Sequence, residues 1–328
     1  ILLSIIIPVY NVELYLKDCL DSIFVHQNIS HKIEVIAVND GSTDRSGEIL
    51  NKYKEEHDFI LFDQENKGLS CARNSGIKIA KGKYLLFMDS DDCFLPDALD
   101  QLLSYLGGTD ADLIEFNYKV LNPADLKPKL KYKNPPILSG LGQDVFCSWE
   151  RSGFYRPMVW TKAVSRKMIV LNQLYFCPGI YHEDEEWSPR VFAYAGRACY
   201  LPLLLYVYRI REGSSTSKKT RKHYMDMLVV IDSLCNFTSS ENLSLKYVRS
   251  LQRNLSFLYF STIKGIKISG EYDPYLISAL EKRKILIKFS EDLHRKYLYR
   301  YLINILGIKF FYMFKYSLKH FLNHASPR

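Results

Sequence analysis

The run "YLLFMDSDDCFLP" (84–96) carries three carboxylates, Asp89, Asp91 and Asp92, within four residues, and only Ser90 stands among them. Carboxylates this close raise one another's pKa unless a cation intervenes. A divalent ion resolves the repulsion, because Mg²⁺ takes one or two carboxylates and fills its shell with waters and substrate phosphate oxygens. On that reading Asp91 is a direct ligand, and Asp89 contacts the metal or the ribose of a nucleotide. The competing reading is structural: Asp89 or Asp92 caps a helix starting near Pro96. A second acidic stretch, "YHEDEEWSPRVF" (181–192), places four acids behind His182. Its plain reading is the first turn of a helix, where carboxylates complement the dipole and Trp187 faces a core. Arg209 and Arg211 in "YVYRIREGSSTS" (206–217) could neutralise a diphosphate, since guanidinium suits bidentate phosphate contacts; the alternative is a basic surface turn. Trp160, beside Lys162 in "PMVWTKAVSR", could stack on the apolar face of a sugar ring or pack in a core.

These residues need elements to position them, and the chain supplies a regular alternation. "LLSIIIPVY" (2–10) is a continuous apolar, β-branched run, read as a buried strand. "ELYLKDCLDSIFVH" (13–26) has helical apolar spacing, and "KIEVIAVND" (32–40) is a second strand ended by the turn residues of "NDGSTD". Ser42 or Thr43 could cap a helix at 44–56. Strands at 59–63, 83–89 and 111–118 alternate with helices at 69–80 and 96–106. The pattern predicts an open, mostly parallel α/β sheet covered on both faces, with ligands at the carboxyl ends of its strands. Tyr10 and Asn11, Asp40, and Asp89 to Asp92 all fall at such ends. A carboxylate at Asp40 could accept the imide N–H of uracil, and Gly68 and Gly76 allow close backbone approach. Residues 122–137 read as an exposed excursion, 140–212 as mixed α and β, and the chain from about 222 as helical.

The segments "SIIIPVYN" with Glu13 following, "EVIAVNDGSTDRS", "NKGLSCARNSGI" and "GKYLLFMDSDD" stand in this order and spacing. Together they make the chain resemble the inverting glycosyltransferase family 2, closely over residues 2–117 and more loosely to about 217. The resemblance implies a GT-A fold, a Rossmann-like sheet flanked by helices. It divides the chain into a nucleotide-sugar half (1–117), an acceptor half (118–217) and a basic, aromatic, mainly helical region (218–328). It implies a UDP-linked donor held by Pro8, Tyr10, Glu13, Asp40, Arg73, Asp89 and Ser90, with Arg209 or Arg211 on the diphosphate. Mg²⁺ or Mn²⁺ would sit on Asp91 and Asp89. Asp184 matches the general base, with Glu183 its neighbour and Glu185 the fallback; Glu185 and Trp160 would line the acceptor subsite. An acceptor hydroxyl is a poor nucleophile until its proton is taken, and a positioned base contributes ~10²–10⁴-fold. The expected reaction is transfer of a hexose or N-acetylhexosamine to a saccharide acceptor, lipid-linked, in bacterial surface-polysaccharide synthesis. The alternative is a catalytically idle nucleotide-binding or scaffold module, against which the presence of both acid clusters argues. A dinucleotide-dependent oxidoreductase would need a glycine fingerprint where the chain has "PVYN".

Composition narrows the setting. The 328 residues carry a net charge of +8, with 24 Lys/Arg against 28 Asp/Glu up to residue 215 and 20 against 8 beyond it. That asymmetry suggests a catalytic body and a docking segment. The stretch 294–328 mixes dense aromatics with recurring Lys and Arg, the composition of a peripheral helix at an anionic membrane surface. Its competing reading is a terminal helix packed on the protein. No nucleic-acid recognition motif is present. Seven scattered cysteines, never in CxxC spacing, fit a reducing cytoplasm. No transmembrane helix or signal peptide is expected, so the expected location is cytoplasmic, at the inner face of the cell membrane.

Overall fold

The computed structural model describes residues 1–25, 31–121, 129–130, 134–211, 219–269 and 274–290. Its strands are β1 (Leu3–Val9), β2 (Ile33–Asp40), β3 (Ile60–Gln64), β4 (Tyr84–Phe87), β5 (Cys93–Phe94), β6 (Leu113–Leu121), β7 (Lys129–Leu130), β8 (Ser139–Gly140), β9 (Lys162–Ser165) and β10 (Ala198–Arg209). The helices are α1 (Glu13–Phe24), α2 (Ser46–Glu56), α3 (Leu69–Ile79), α4 (Ala98–Gly107), α5 (Gly142–Ser152), α6 (Arg166–Leu171) and α7 (Glu183–Tyr194). These belong to one unit ending at Lys218. A second unit begins at Lys219 and contains α8 (Arg221–Phe237), α9 (Leu245–Ser269) and α10 (Pro274–Lys282). Among the described residues no helix is long and apolar enough to cross a membrane. The segment 294–328, expected at a membrane surface, lies outside the described residues, as does most of the 122–137 excursion.

Every residue of β1 is buried, as its unbroken apolar run requires of a central strand. It pairs in parallel with β2 on one side and β4 on the other, and β3 extends the sheet beyond β2. The antiparallel β9 is wedged between β4 and β6, and β10 runs parallel to β6. The main path is therefore β3-β2-β1-β4-β9-β6-β10-β5, and the nominal nucleotide and acceptor halves share one sheet.

Side-chain alternation along β1 feeds two layers. Leu3, Ile5, Ile7 and Val9 join the core formed with Leu16 and Leu20 of α1 and Leu99 and Leu102 of α4. Ile6 points the other way, against α3. A Cβ on Gly76 would lie 2.4 Å from Ile6 Cγ2, so this glycine is required by helix–strand packing, where the sequence suggested approach to a ligand.

Pro8 sits near the end of this central strand, a position usually closed to a residue without an N–H. The β1–β4 ladder ends at Ile6, whose carbonyl takes the N–H of Met88. Residues 6 and 8 turn their backbone polar groups to the same side, so the missing donor of Pro8 falls just past the ladder. There the chain after β4 is free to turn away, carrying Asp89 to Asp92 to the sheet edge.

Two helix starts differ from expectation. α2 begins at Ser46 with Arg45 at the N-cap, so neither Ser42 nor Thr43 caps it; one residue earlier, Asp44 Oδ1 accepts the Ser46 N–H at 2.9 Å. α4 begins at Ala98, preceded by Asp97 in the left-handed region (φ 60°), and neither Asp89 nor Asp92 caps it.

Candidate active site

Aromatic packing brings the two acid clusters together. Phe87, near the end of β4, meets Phe176 and Trp187 edge-on at 5.1 and 5.6 Å, and Phe176 stacks on Trp187 at 4.6 Å. Such pairs each add ~0.5–1.5 kcal/mol beyond their buried area. The Trp187 indole N–H donates to the Leu174 carbonyl at 2.8 Å, fixing the ring. One helical turn before Trp187 on α7 stands Glu183, and two residues after Phe87 stands Asp89. The spacing of four on the helix and two past the strand thus sets both carboxylates beside each other.

Arg73 of α3 fills the gap between them. Its Nη2 donates to Asp89 Oδ1 at 2.8 Å and its Nη1 to Glu183 Oε1 at 2.7 Å. The guanidinium lies over the Phe176 ring and is only 2 % exposed. The sequence placed Arg73 on a phosphate or carbonyl of the donor; the structure buries it as the bridge between the acid clusters. The buried guanidinium needs both carboxylates to offset desolvation.

The three aspartates of "DSDD" have separate environments. Asp89 and Asp91 keep 27 and 20 % of their side chains exposed. Burial, with Asp91 nearby, raises the Asp89 pKa despite Arg73. Asp91 Oδ2 accepts from Arg211 Nε at 2.5 Å. Asp92 is buried and not a helix cap: its Oδ1 accepts the Arg209 N–H at 2.7 Å and its Oδ2 the Tyr206 hydroxyl at 2.8 Å. Burial and the adjacent Asp89 and Asp91 push its pKa up to about 9. The Tyr206 hydroxyl in turn accepts the Asp89 N–H at 3.1 Å, so Asp92 and Tyr206 fix the backbone of the acidic turn. Among the described residues no three His, Cys, Asp or Glu side chains form a closed metal cage. The donor set at Asp89 and Asp91, two part-exposed carboxylates on an open edge, fits a Mg²⁺-type ion that shares its shell with phosphates and waters.

Asp184 and Glu185 lie in the first turn of α7, behind His182 in the left-handed region (φ 63°). Burial and the neighbouring Glu183 raise the Asp184 pKa to about 6, while the Glu185 N–H, donating to Asp184 Oδ1 at 2.8 Å, works the other way. Burial and Asp184 push Glu185 up to about 8. Shared burial and mutual repulsion thus raise both carboxyls of this pair above the ordinary carboxylate range. Glu186, the fourth acid, is tied to Arg190 at 2.6 Å.

Around the strand ends, other expected site residues serve the loops. Tyr10 is 47 % exposed at the end of β1, open to a planar ligand. Asp40 is buried, and its carboxylate accepts Gln64 Nε2 at 2.6 Å and the N–H groups of Lys67 and Gly68 at 2.9 and 2.8 Å. Gly68, at φ 87°, takes a conformation that favours glycine and directs its N–H to Asp40. Glu13 and residues 44–45 tie reciprocally: Glu13 Oε2 accepts the Arg45 N–H at 2.8 Å, and the Glu13 N–H goes to Asp44 at 3.0 Å. Glu13 is thus a loop tie where the sequence suggested a donor contact, while Pro8 and Ser90 are buried. Arg209 pairs with Asp18 at 2.9 Å, and Arg209 and Arg211 both lie over the Tyr15 ring.

Trp160 is a correction. It is 6 % exposed, stacked on Tyr206 and Tyr208 at 4.8 and 5.3 Å and edge-on to Tyr118 at 4.7 Å. It is a core residue supporting the strand that carries Arg209, and no part of it offers a sugar platform. Trp160→Ala is expected to lower unfolding free energy by ~3–5 kcal/mol in urea titration. A loss below 1 kcal/mol would contradict this placement. Sequence reasoning missed the buried Glu115 and Lys162 and the part-buried Arg156; their signal was the charged Glu115 and Lys162 within short strand segments.

A family model described as glycosyl transferase family 2 matches residues 4–160. The putative glycosyltransferase EpsH of Bacillus subtilis is 31 % identical over 257 residues, covering 76 % of this chain and 72 % of EpsH. Glycosyltransferase GlyA of Streptococcus pneumoniae is 35 % identical over 238 residues, 69 % of this chain, which spans about a third (33 %) of GlyA's length. In fold, the chain is similar to residues 1–349 of Staphylococcus aureus TarS, crystallised with UDP-GlcNAc. The TM-score is 0.77 at 20 % identity, covering 98 % of this chain and 92 % of that one.

Proposed function

Because the chain belongs to glycosyl transferase family 2, we propose that it moves a sugar from a UDP-linked donor to a hydroxyl of a saccharide acceptor, with inversion at the anomeric carbon. The observation that carries this reading is the Arg73 bridge, which holds the Asp89–Asp91 edge against the acidic turn of α7. A diphosphate on that edge and a hydroxyl at that turn would face each other across one sugar. Tyr10 can cover the base, and Asp40, with about four lone-pair sites and three taken, keeps one for an imide N–H. Asp91 and Asp89 would hold Mg²⁺ or Mn²⁺ together with diphosphate oxygens. Such an ion supplies a Lewis acid that offsets charge on the leaving group.

The chain's own residues do the rest. Asp184 accepts the acceptor proton as the hydroxyl oxygen bonds to the anomeric carbon and the carbon–diphosphate oxygen bond breaks on the opposite face. Arg211 is near enough to Asp91 to follow charge onto the leaving diphosphate. Glu183 is spoken for by Arg73 and orients the turn. We assign the acceptor as a lipid-linked saccharide in bacterial surface-polysaccharide synthesis at the inner face of the membrane, on the strength of the basic, aromatic composition of 294–328.

Calorimetry with UDP tests the reading. Wild-type protein is expected to bind UDP more tightly with Mn²⁺ than with EDTA, and Asp91→Ala to lose the difference. Equal affinity with and without metal would sink the metal site, and absent binding would sink the donor class. Binding of UDP without turnover of any UDP-sugar would favour the idle-module alternative.

A further inference from the structure

A buried charge cluster sits where β6 and β9 pair, with Glu115 and Lys162 opposite each other in the register. Glu115, in the middle of β6, and Lys162, at the start of β9, are both fully buried. Arg156 takes the glutamate: its Nε donates to Glu115 Oε1 at 2.7 Å, and its guanidinium lies over the rings of Phe154 and Tyr118. Lys162 Nζ donates to the main-chain carbonyls of Arg156 and Met158 at 2.7 Å each, and to Thr161 Oγ1 at 3.3 Å. Glu115 Oε2 is 3.3 Å from Nζ without hydrogen-bond geometry, so their attraction is Coulombic. One buried carboxylate thus faces two cations. A buried ammonium left in surplus is costly unless another anion answers it.

The acids that answer stand on α7. That helix is tied to the same segment, since the Ser188 hydroxyl donates to the Pro157 carbonyl. Burial lowers the Lys162 pKa, and the charges of Glu115 and Asp184 work against it to favour the ammonium; Lys162 in turn opposes by charge the burial-driven rise of Asp184 and Glu185. The charged groups facing Asp184 are Glu183 and Glu185 on its own helix, Arg73 from α3 and Lys162 from β9. Glu115 and Arg156 face Lys162 from β6 and from the segment before β9.

We propose that Lys162 is a positioning residue for proton transfer, its buried ammonium serving as the counter-charge that holds Asp184 as an anion. The inference rests on Asp184 as the proton acceptor. It explains why a lysine is buried where an apolar side chain would cost less. The three lysine N–H donors pin the ammonium to two main-chain carbonyls and the Thr161 hydroxyl, so the charge cannot drift toward solvent. The acceptor proton then moves onto a carboxylate whose basicity is set by that counter-charge.

Two measurements test this. In pH–rate profiles for UDP-sugar turnover, Lys162→Gln removes the charge but keeps amide donors for the carbonyls. Without the cation Asp184 holds its proton to higher pH, so the acidic limb should rise by about one pH unit, with donor KM unchanged. Lys162→Arg keeps the charge and should leave the limb in place. A limb that stays put in Lys162→Gln while kcat falls would make the lysine merely structural and overturn the proposal. The second measurement needs no catalysis and no change at Lys162: NMR titration of the Lys162 side chain in wild type and Asp184→Asn. Removing the anion should lower the pH at which Lys162 loses its proton, and an unaltered titration would overturn the proposal. If Asp184→Asn turned over normally, the proton-acceptor reading would fail by itself, whatever the NMR coupling.

Discussion

Asp184→Asn is expected to bind donor as wild type does and to lose turnover by ~10²–10⁴-fold, the contribution of a positioned base. The amide keeps the volume of the carboxylate and can still accept the Glu185 N–H, so the first turn of α7 should stand. What disappears is the acceptor for the proton. In wild type the same group gives the pH dependence its direction. With a pKa raised to about 6, Asp184 is charged at neutral pH and becomes protonated as pH falls through about 6. Rate should therefore drop on the acid side there, and the Asn variant should show no such limb in its residual rate. Glu185 is raised in wild type by burial and by the Asp184 charge, so Asp184→Asn removes one cause of that shift, and any residual acid limb in the variant would report Glu185. Retention of wild-type kcat in Asp184→Asn would move the base elsewhere.

The second large effect falls on stability. Arg73→Met fills similar volume but leaves Asp89 and Glu183 without their shared cation. Removing one partner of a buried ion pair costs ~3–5 kcal/mol, because the remaining charge stays desolvated. The loss should appear in urea titration of the first unit's tryptophan signal. It should shrink in the double variant Arg73→Met with Glu183→Gln, where one of the stranded charges is gone. Equal losses in single and double variants would mean that Arg73 contributes through packing on Phe176 and not through charge. Turnover should fall in both variants, since the bridge fixes the distance from the donor edge to the acidic turn.

The fold was largely legible because its signal is local. "LLSIIIPVY" is buried throughout as β1, and the alternation of apolar runs with helical spacing placed the strand ends correctly enough to put Tyr10, Asp40 and Asp89 on one edge. Pairing order was less so: nothing in "KAVS" announces that β9 enters the sheet between two strands remote in sequence. The site residues divide by the same rule. Acid clusters are visible because their members are neighbours in sequence. Arg73 could not be read as a bridge, since its role depends on Glu183, 110 positions away. Trp160 illustrates the converse: an aromatic next to a lysine looks like a ligand platform until Tyr206 and Tyr208 arrive from β10 to cover it. Composition is blind to which side chains converge.

The wedged β9 also has a consequence for how the chain is made. β4 is finished at residue 87, but the strand that covers its outer side ends at residue 165. At ~5–20 residues per second a ribosome needs roughly 4–16 s to deliver it. Throughout that interval the nascent chain presents β4 as a bare edge of main-chain donors and acceptors, the template on which strands of other molecules can add. Such a delay between long-range partners slows folding relative to a sheet closed by neighbours. Expression should therefore respond to chaperones that shield nascent chains, and fragments ending between β6 and β9 should be the most prone to aggregate.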